Sequence, residues 1–347
     1  MLPAQAADFA TVTPGRPLHF PQDFGAHPEY RTEWWYATGW LETPDRKPLG
    51  FQVTFFRSAS GHNPDNPSKF APRQLIIAHA ALSDPALGKL LHDQKSAREG
   101  FGLAYAKTGD TALKLDNWEL RRDGEGNYQA SIVSKEFTLQ LSLLPSQPML
   151  LQGEQGYSQK GPTPGQASYY YSEPQLKVSG KLLRHGKETT VQGTAWLDHE
   201  WSTSVLDSGS SGWDWLGANL DDGGALMAFQ IRGKNGQPVW SHATLRDAAG
   251  KVTQYAAQQV SFVPRRLWTS SATRASYPVA TSIQLMDGSG KPADIWDLLP
   301  LSDDQELDSR RSTGAVYWEG AVTVQRNGKP AGRGYLELTG YHKALKL

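Results

Sequence analysis

The chain has 347 residues, and its 35 Lys and Arg residues balance 35 Asp and Glu residues, so the formal net charge is zero. A neutral chain without a basic run lacks the electrostatic attraction that drives binding to nucleic acid or to an anionic membrane surface, and we exclude nucleic acid as a partner. The absence of cysteine excludes disulfide bonds, thiolate metal sites and cysteine nucleophiles.

The composition predicts an all-β protein. There are 34 Gly and 22 Pro residues, aromatic residues make up 10% of the chain, and long helical periodicities are missing. This combination is typical of many short strands joined by turns. The length also exceeds the usual size of a single domain, which predicts two domains.

Residues 1–28 form a proline-rich arm without periodicity. Within it, Ala4 and Ala6 are spaced as at the end of a secretory signal, although the apolar core of such a signal is absent. We therefore expect a secreted or periplasmic protein whose signal peptide has been removed; an ordinary flexible N-terminus would show the same residues. No apolar run approaches the roughly 20 residues that span a bilayer, so no transmembrane segment is expected.

Alternating apolar residues bounded by turn residues predict the strands of the first half. These strands are 33–41, 50–57, 74–84, 113–121, 127–133, 136–144, 168–183 and 188–199. The second half repeats their order. The matched segments are Trp35–Trp40 with Trp215–Leu220, Phe51–Arg57 with Leu226–Arg232, His79–Asp84 with His242–Asp247, and Gly193–Leu197 with Gly334–Leu338. The repeat predicts two domains, 29–205 and 206–347, after the arm.

Each repeat offers roughly eight to ten short strands, which fits a closed antiparallel barrel or a sandwich. We favour two barrels in tandem because closure removes edge strands, and because a barrel of about eight strands can hold one small apolar ligand. The small residues Ala37 and Gly39, predicted to face inward, would leave room for that ligand.

One stretch carries the densest candidate chemistry. Asp198, His199 and Glu200 are adjacent ionisable residues beside tryptophans, and burial against tryptophan shifts pKa values. In a strand, Asp198 and Glu200 face one side while His199 and Trp201 face the other. Because the stretch ends the first repeat and Trp213–Trp215 begins the second, we expect these residues to meet at a domain junction, where pockets are common. The alternative is that the tryptophans fill the barrels beside a solvated strand end.

Comparison of the two repeats separates candidate functional residues from scaffold. The matched segments place Thr339 and Gly340 opposite Asp198 and His199, Trp213 opposite Glu33, and Trp34 opposite Asp214. An ionisable residue present in one repeat only is harder to explain as scaffold. His79 and His242 recur in both repeats and are expected to hold strands together by hydrogen bonds. No His-Glu-x-x-His or His-x-His pattern occurs, and no metal is expected.

Five ordered blocks resemble one known family. They are Glu33–Gly39, Gly50–Arg57, Ala78–Asp84, Gly193–Ser202 and Gly212–Trp215, and they extend over nearly the whole chain after the arm. They look like the AttH-like proteins, which are related to hydroxyneurosporene synthase, a carotenoid hydratase. The resemblance implies two lipocalin-like barrels in tandem and bacterial export, and many members are described as predicted secreted hydrolases.

The resemblance also implies a reaction. The hydratase branch adds water to an isoprenoid double bond without a cofactor, by protonating the alkene and letting water capture the cation. His199 and Trp201 match the His-x-Trp element of that branch. A carboxyl or imidazole of shifted pKa could provide the proton, and tryptophan faces stabilise cations.

We therefore expect a protein that binds a hydrophobic, isoprenoid or lipid-like molecule at the junction and hydrates or isomerises a double bond without a cofactor. The candidate catalytic residues are Glu33, Asp198, His199 and Asp214, and the candidate ligand-binding residues are Trp34, Trp35, His79, Glu200, Trp201, Trp213 and Trp215. The alternative is a carrier without catalysis, or an accessory of an export system that would be its partner. A hydrolase ranks lower because no Gly-x-Ser-x-Gly motif occurs.

Overall fold

The computed structural model describes residues 9–61, 67–68 and 70–345. Ala4 and Ala6, on which the expectation of a secretory signal rests, lie outside the described residues. Within the described part there is no α-helix, and the helical turns are the short 3-10 helices Gln22–Phe24, Pro85–Leu87 and Ala257–Gln259. None of the helices found there has the length and apolar character to cross a membrane.

Thirteen strands form the first sheet. They are β1 (Thr32–Glu42), β2 (Pro48–Ala59), β3 (Gln74–Asp84), β4 (Lys89–Arg98), β5 (Ala104–Ala106), β6 (Ala112–Leu115), β7 (Trp118–Arg122), β8 (Tyr128–Val133), β9 (Thr138–Leu144), β10 (Leu150–Leu151), β11 (Tyr157–Gln159), β12 (Ala167–Arg184) and β13 (Lys187–Ser204).

Ten strands form the second sheet. They are β14 (Ser210–Leu220), β15 (Ala225–Gly233), β16 (Pro238–Arg246), β17 (Val252–Tyr255), β18 (Val260–Thr269), β19 (Ser276–Met286), β20 (Pro292–Pro300), β21 (Glu306–Asp308), β22 (Val316–Arg326) and β23 (Lys329–Leu338).

Both sheets are antiparallel and curl until their ends approach. The first follows the order β4-β3-β2-β1-β13-β12-β9-β8-β7-β6-β5, with β10 and β11 on β12, and β3 contacts β5 and β6. The second follows the order β17-β16-β15-β14-β23-β22-β20-β19-β18, with β21 on β22, and β18 contacts β15 and β16. The predicted all-β fold of two lipocalin-like barrels in tandem is confirmed.

Two differences from the predicted strands have local causes. The predicted strand 113–121 is a hairpin of β6 and β7, because Asp116 takes a left-handed conformation with φ of 59° and turns the chain. β4 was not predicted, because its central residues, from His92 to Ser96, are polar and show no apolar alternation.

β1 is buried on both faces because it lies between the two halves of the molecule. Trp35 and Ala37 point into the core of the first barrel. Tyr36 and Trp40 point the other way, into a cluster that also contains Trp215 of the second sheet. The outer face of β1 is therefore the seam between the two sheets.

The interior of the first barrel is packed beside Gly39. A side-chain carbon placed there would lie 2.3 Å from the Thr194 carbonyl oxygen and 2.9 Å from the Phe51 ring. The expectation that Ala37 and Gly39 leave room for a ligand inside the barrel is therefore wrong, because neighbouring strands fill that space.

Strand pairing shows how the repeats superpose. Val53 of β2 and Ala228 of β15, which the sequence alignment matches, occupy equivalent places: Val53 pairs with Ala37 and Ala80, and Ala228 with Leu216 and Ala243. On the other side Ala37 pairs with Leu197, and Leu216 with Leu336.

The registers correct the sequence alignment at its ends. Tyr36 superposes on Trp215, one residue from the predicted match, and Asp198 superposes on Glu337, two residues from it. Both repeats therefore have an acidic residue at the position of Asp198, and the expectation that only the first repeat has one is wrong. His199 superposes on Leu338, so this imidazole is still confined to one repeat.

Candidate active site

A cavity of about 100 Å³ lies at the seam between the two sheets. Its aromatic walls come from both sheets: Trp34, Tyr36 and Phe56 on one side, and Trp213, Trp215, Phe229 and Tyr317 on the other. Four carboxyl groups face the same space, those of Asp198, Glu200, Glu319 and Glu337. Acidic groups thus face an otherwise largely aromatic cavity at the predicted domain junction.

Asp198 is presented to the cavity by the alternation of β13. Its carboxyl group accepts hydrogen bonds of 2.6 Å from the Trp196 indole, the Ser172 hydroxyl and the Tyr170 hydroxyl. Burial raises the pKa of Asp198 to about 7 although these three donors oppose the shift, and the charge of Glu200 adds to it. Near neutral pH this carboxyl group can both hold and release a proton.

Glu319 and Glu337 form a carboxyl pair opposite Asp198. They are direct cross-strand partners on β22 and β23, so their side chains lie on one face of the sheet. The Tyr36 hydroxyl donates to Glu319 Oε2 over 2.8 Å, and the Trp213 indole donates to Glu337 Oε2 over 2.8 Å. Glu319 Oε1 is buried and has no hydrogen-bond partner among the residues that the structure describes.

The environment of the pair favours its protonated form. Burial and the charge of Glu337 raise the pKa of Glu319 well above its ordinary value. Burial also raises the pKa of Glu337 to about 7, against the hydrogen bond from Trp213. Two carboxyl groups this close cannot both ionise readily, so they hold at least one proton near neutral pH.

Glu200 differs because it has a cationic partner. Lys160 Nζ lies 2.9 Å from Glu200 Oε1, and it also lies over the rings of Tyr170 and Phe229 at 4.6 and 4.1 Å. The Ser168 hydroxyl donates to the same carboxylate. This ion pair supplies a fixed polar group in the lining of the cavity.

Glu33 and His199 lie in a separate cluster on the inner side of β1 and β13. Glu33 Oε1 is 2.8 Å from His199 Nε2 and 2.7 Å from His27 Nδ1, and Glu33 Oε2 accepts from Arg57 Nε over 2.7 Å. His27 Nε2 lies 3.0 Å from Asp23 Oδ1, which extends the hydrogen-bond network. Neither Glu33 nor His199 lines the cavity.

The protonation states of this cluster follow from burial and partners. Burial alone would raise the pKa of Glu33, but hydrogen bonds from His199 and His27 and nearby positive charges hold it well below its usual range. Burial lowers the pKa of His199 to about 4, against the opposing effect of Glu33. Burial would also lower the pKa of His27, yet its bonds to Asp23 and Glu33 raise it.

The same cluster offers a potential metal-ligand set. Ligand atoms of His27, Glu33 and His199 lie within 4.8 Å of one another. They are joined directly by hydrogen bonds, and a cation there would also face the Arg57 guanidinium beside Glu33. The donor set is therefore better suited to a protein ion network than to a metal ion.

The remaining predicted residues divide between the seam and the barrels. Trp34, Trp213 and Trp215 line the cavity with Asp198 and Glu200. Trp35 stacks on His199 at 4.3 Å, and Trp201 stacks on His27 at 3.8 Å, both in the first barrel. Asp214 lies away from the cavity lining, bound to Gln230, Arg232 and Tyr341, and burial raises its pKa against Arg232.

His79 supports the wall of the cavity without lining it. Its Nδ1 lies 2.6 Å from the Tyr317 hydroxyl and its Nε2 lies 2.8 Å from the Ser312 hydroxyl. Burial lowers the pKa of His79 to about 3, so the imidazole is neutral. It thereby joins β3 of the first sheet to β22 of the second.

Sequence reasoning missed the carboxyl pair of Glu319 and Glu337. Glu319 follows Tyr317 and Trp318, an aromatic context like that of Asp198 beside Trp196, and this signal was available. Glu337 was hidden because the alignment of the last strands was shifted by two residues, which set Asp198 opposite Thr339.

The chain resembles known proteins at the levels of family and structure. The AttH-like family matches residues 11–341. A crystal structure from Nitrosomonas europaea, assigned to AttH, has 61% identity and a TM-score of 0.89, over 96% of this chain and 99% of its own. Kievitone hydratase from Nectria haematococca has 15% identity and a TM-score of 0.70, over 97% and 98%. CghA, solved with Sch210972, has 13% identity and a TM-score of 0.60, over 98% of both chains. No curated protein matches the sequence.

Proposed function

This chain belongs to the AttH-like family, and we propose that it binds a hydrophobic, unsaturated small molecule at the seam and hydrates or isomerises one of its double bonds by acid–base catalysis. The observation that carries the proposal is the Glu319–Glu337 pair, which is buried among aromatic rings. One of its carboxyl oxygens, Glu319 Oε1, has no hydrogen-bond partner in the described part of the chain. An uncharged carboxyl group in an apolar site is a suitable proton donor to an alkene.

The proposed reaction begins with a proton from this pair. The alkene π electrons take the proton to form a C–H bond, leaving a carbocation on the adjacent carbon and a negative charge on the carboxyl pair. The faces of Trp34, Trp213 and Trp215 stabilise the cation by their π systems. In hydration, water adds to the cation and its surplus proton passes to a carboxylate; in isomerisation, a carboxylate removes a proton from a neighbouring carbon.

Asp198 is the proposed partner in this reaction. It faces the cavity from the first sheet, whereas the Glu319–Glu337 pair faces it from the second. With a pKa of about 7 it is ionised in part of the molecules, and its carboxylate can accept the proton of the attacking water. The two sides of the cavity thus supply an acid and a base.

The substrate class follows from the walls. The aromatic lining favours an apolar molecule, and Lys160 with Glu200 supplies an ion pair in that lining to which a polar group of the ligand can bind. The structural likeness to kievitone hydratase supports hydration among the reactions considered, by analogy of fold alone. We include an isoprenoid or lipid-like substrate and action outside the cytoplasm in the proposal, on the family resemblance.

The test begins with native mass spectrometry of protein from its own host, which identifies the molecule that it carries. That molecule is then incubated with the protein in heavy water, and we expect deuterium to enter it at carbon. Glu319→Gln removes the proton donor and abolishes this incorporation. The matched control is Glu173→Gln, because Glu173 is also buried, has a raised pKa from burial and accepts from a tyrosine, Tyr128, but does not line the cavity.

The result separates an enzyme from a carrier. Loss of incorporation in Glu319→Gln with retained binding, while Glu173→Gln behaves as the wild type, supports catalysis. Binding without deuterium incorporation in the wild type would contradict the proposed chemistry and favour a carrier.

A further inference from the structure

An exposed apolar patch lies at one rim of the first sheet. Phe70, Phe101 and Leu103 are 68%, 61% and 63% exposed, and Leu75 beside them is 36% exposed. We call these four residues the rim patch. Single exposed apolar residues are ordinary on protein surfaces, whereas a contiguous set marks an interaction surface.

The rim patch is held in place by Arg98. The Phe70 and Phe101 rings are 5.5 Å apart, and the Arg98 guanidinium lies 4.9 and 5.1 Å from them. Arg98 Nη1 also donates to the Phe70 carbonyl oxygen over 2.9 Å. The two rings are therefore fixed in an outward position.

Strand pairing connects the rim patch to the cavity. Thr32 pairs with Ser58, Ser58 with Leu75, and Leu75 with Arg98, across β1, β2, β3 and β4. Residues paired in this way project to the same face of a sheet. Thr32 lines the cavity, so Leu75 of the rim patch lies on the same face about 10 Å away, two strand spacings, and Arg98 lies one strand further.

Apolar side chains cover the distance between patch and cavity. Trp34 pairs with Phe56, and Phe56 pairs with Ile77, one row inward from Leu75. All three are partly exposed, and Trp34 and Phe56 also line the cavity. A hydrophobic molecule that leaves an apolar phase at the patch would meet a continuous apolar surface up to the site.

We propose that the rim patch docks on the surface of a phospholipid bilayer, from which the ligand enters the cavity. Phenylalanine and leucine can insert at the boundary of the acyl chains, while the Arg98 guanidinium, which lies over both rings, can donate to headgroup phosphates. The chain has no formal net charge, so insertion, more than charge, supplies the attraction. The role in delivery rests on the proposed function, but bilayer binding itself does not.

The experiment measures cosedimentation of the full chain with phosphatidylcholine vesicles, without any substrate. We expect the wild type to bind and the double variant Phe70→Ser with Phe101→Ser to bind about tenfold or more weakly, because two large apolar groups are lost. The matched control is Leu267→Ser, because Leu267 is 63% exposed on β18 of the second sheet.

The proposal is overturned if the wild type does not bind vesicles, if the double variant binds as well as the wild type, or if Leu267→Ser weakens binding equally. If the wild type does not bind vesicles and its molecular mass in solution rises with protein concentration, the patch is assigned to contact between copies of the chain. Deuterium incorporation in detergent-solubilised ligand remains a separate measurement, so failure of docking and failure of catalysis are distinguishable.

Discussion

At the scale of single residues, the cost of burying a carboxylate decides the protonation states both in the cavity and in the cluster around Glu33. Desolvation favours the uncharged form, and a hydrogen-bond donor or a cation offsets it. Glu33, with Arg57 and two imidazoles, is held ionised. Glu319, with one tyrosine donor and a second carboxyl group opposite, is held protonated. Residue type alone does not separate these two roles.

Asp198 makes the stability of the protein depend on pH. Its pKa is about 7 in the native protein against an ordinary value of 3.8. Between these values the native state keeps a proton that the unfolded chain has released, so the free energy of unfolding falls as the pH rises from about 4 to 7. Asp198→Asn removes this contribution, and we expect a shallower fall.

The measurement is urea unfolding between pH 4 and pH 8, with Glu188→Gln as the control because Glu188 is an exposed partner of Lys181. Parallel curves for the wild type and Asp198→Asn would show that Asp198 is not protonated in the native state.

Glu33 makes the free energy of unfolding depend on pH with the opposite sign. Its pKa lies below the ordinary value, so its contribution to stability is present above the ordinary carboxyl pKa and is lost as the pH falls. Glu33→Gln leaves the Arg57 charge buried with one partner fewer, and we expect a loss of about 3–5 kcal/mol of stability near neutral pH.

Chemical denaturation measures this loss. Glu42→Gln is the control, since Glu42 pairs with Arg46 in a largely exposed contact of 3.7 Å, for which we expect a loss of at most about 1 kcal/mol. Equal losses in the two variants would contradict the structural importance of the buried network.

At the scale of elements, β1 and β13 place both sets of ionisable residues. Alternation sends Tyr36 and Asp198 to the seam and Trp35 and His199 into the first barrel. The sequence predicted this division between Asp198 and His199 correctly. It could not show which face would meet the second sheet, because both faces of β1, and of β13 from Ala195 to Ser202, are largely buried and carry aromatic side chains.

Close packing between β1 and β13 gives a prediction for Gly39. A methyl group there would meet the backbone of Thr194 at 2.3 Å, a contact that only a shift of the strands can relieve. We expect Gly39→Ala to lower the free energy of unfolding by about 1–3 kcal/mol, as overpacking does. Gly124→Ala is the control, because no atom of residues 9–61, 67–68 or 70–345 lies within 4 Å of the added carbon. Thermal unfolding compares them, and equal midpoints would refute the packing argument.

At the scale of the whole molecule, the two sheets share a core. Tyr36, Trp40, Trp196 and Trp215 belong to one buried cluster that draws on both sheets. The Trp40 indole donates to the Gly334 carbonyl over 3.0 Å across the seam. We expect residues 29–205 and 206–347, the proposed domains, to unfold in one transition, because separation would expose this cluster.

Scanning calorimetry provides the measurement. A single peak whose calorimetric and van't Hoff enthalpies agree is the expected result. Two resolved peaks would show that each barrel is stable alone and that the seam contributes little to stability.

The fold and part of the site could be predicted because repeated strands and matched blocks are local patterns. The seam was predicted from Asp198 and Trp213–Trp215, which are close in sequence. The acids of the far wall were not, because Glu319 and Glu337 reach the cavity only through the pairing of β22 with β23, more than 100 residues later. Because both faces of β1 are buried, the sequence also did not reveal that its alignment was shifted by one residue and matched Trp215 with Trp35 in place of Tyr36.

The contact of Tyr36 with Trp215 has a stereochemical consequence. Tyr36 and Trp215 occupy equivalent positions in the two repeats, and their ring centroids lie 5.2 Å apart across the seam. Equivalent residues meet in the same way beside the axis of a twofold dimer. The chain is nevertheless a single polypeptide, and its halves have diverged: one side offers Asp198, the other Glu337 with Glu319. Under the proposed function, a molecule held between such unequal walls would have a defined head and tail and would present one prochiral face to the acid. Any new stereocentre would therefore form with a single handedness.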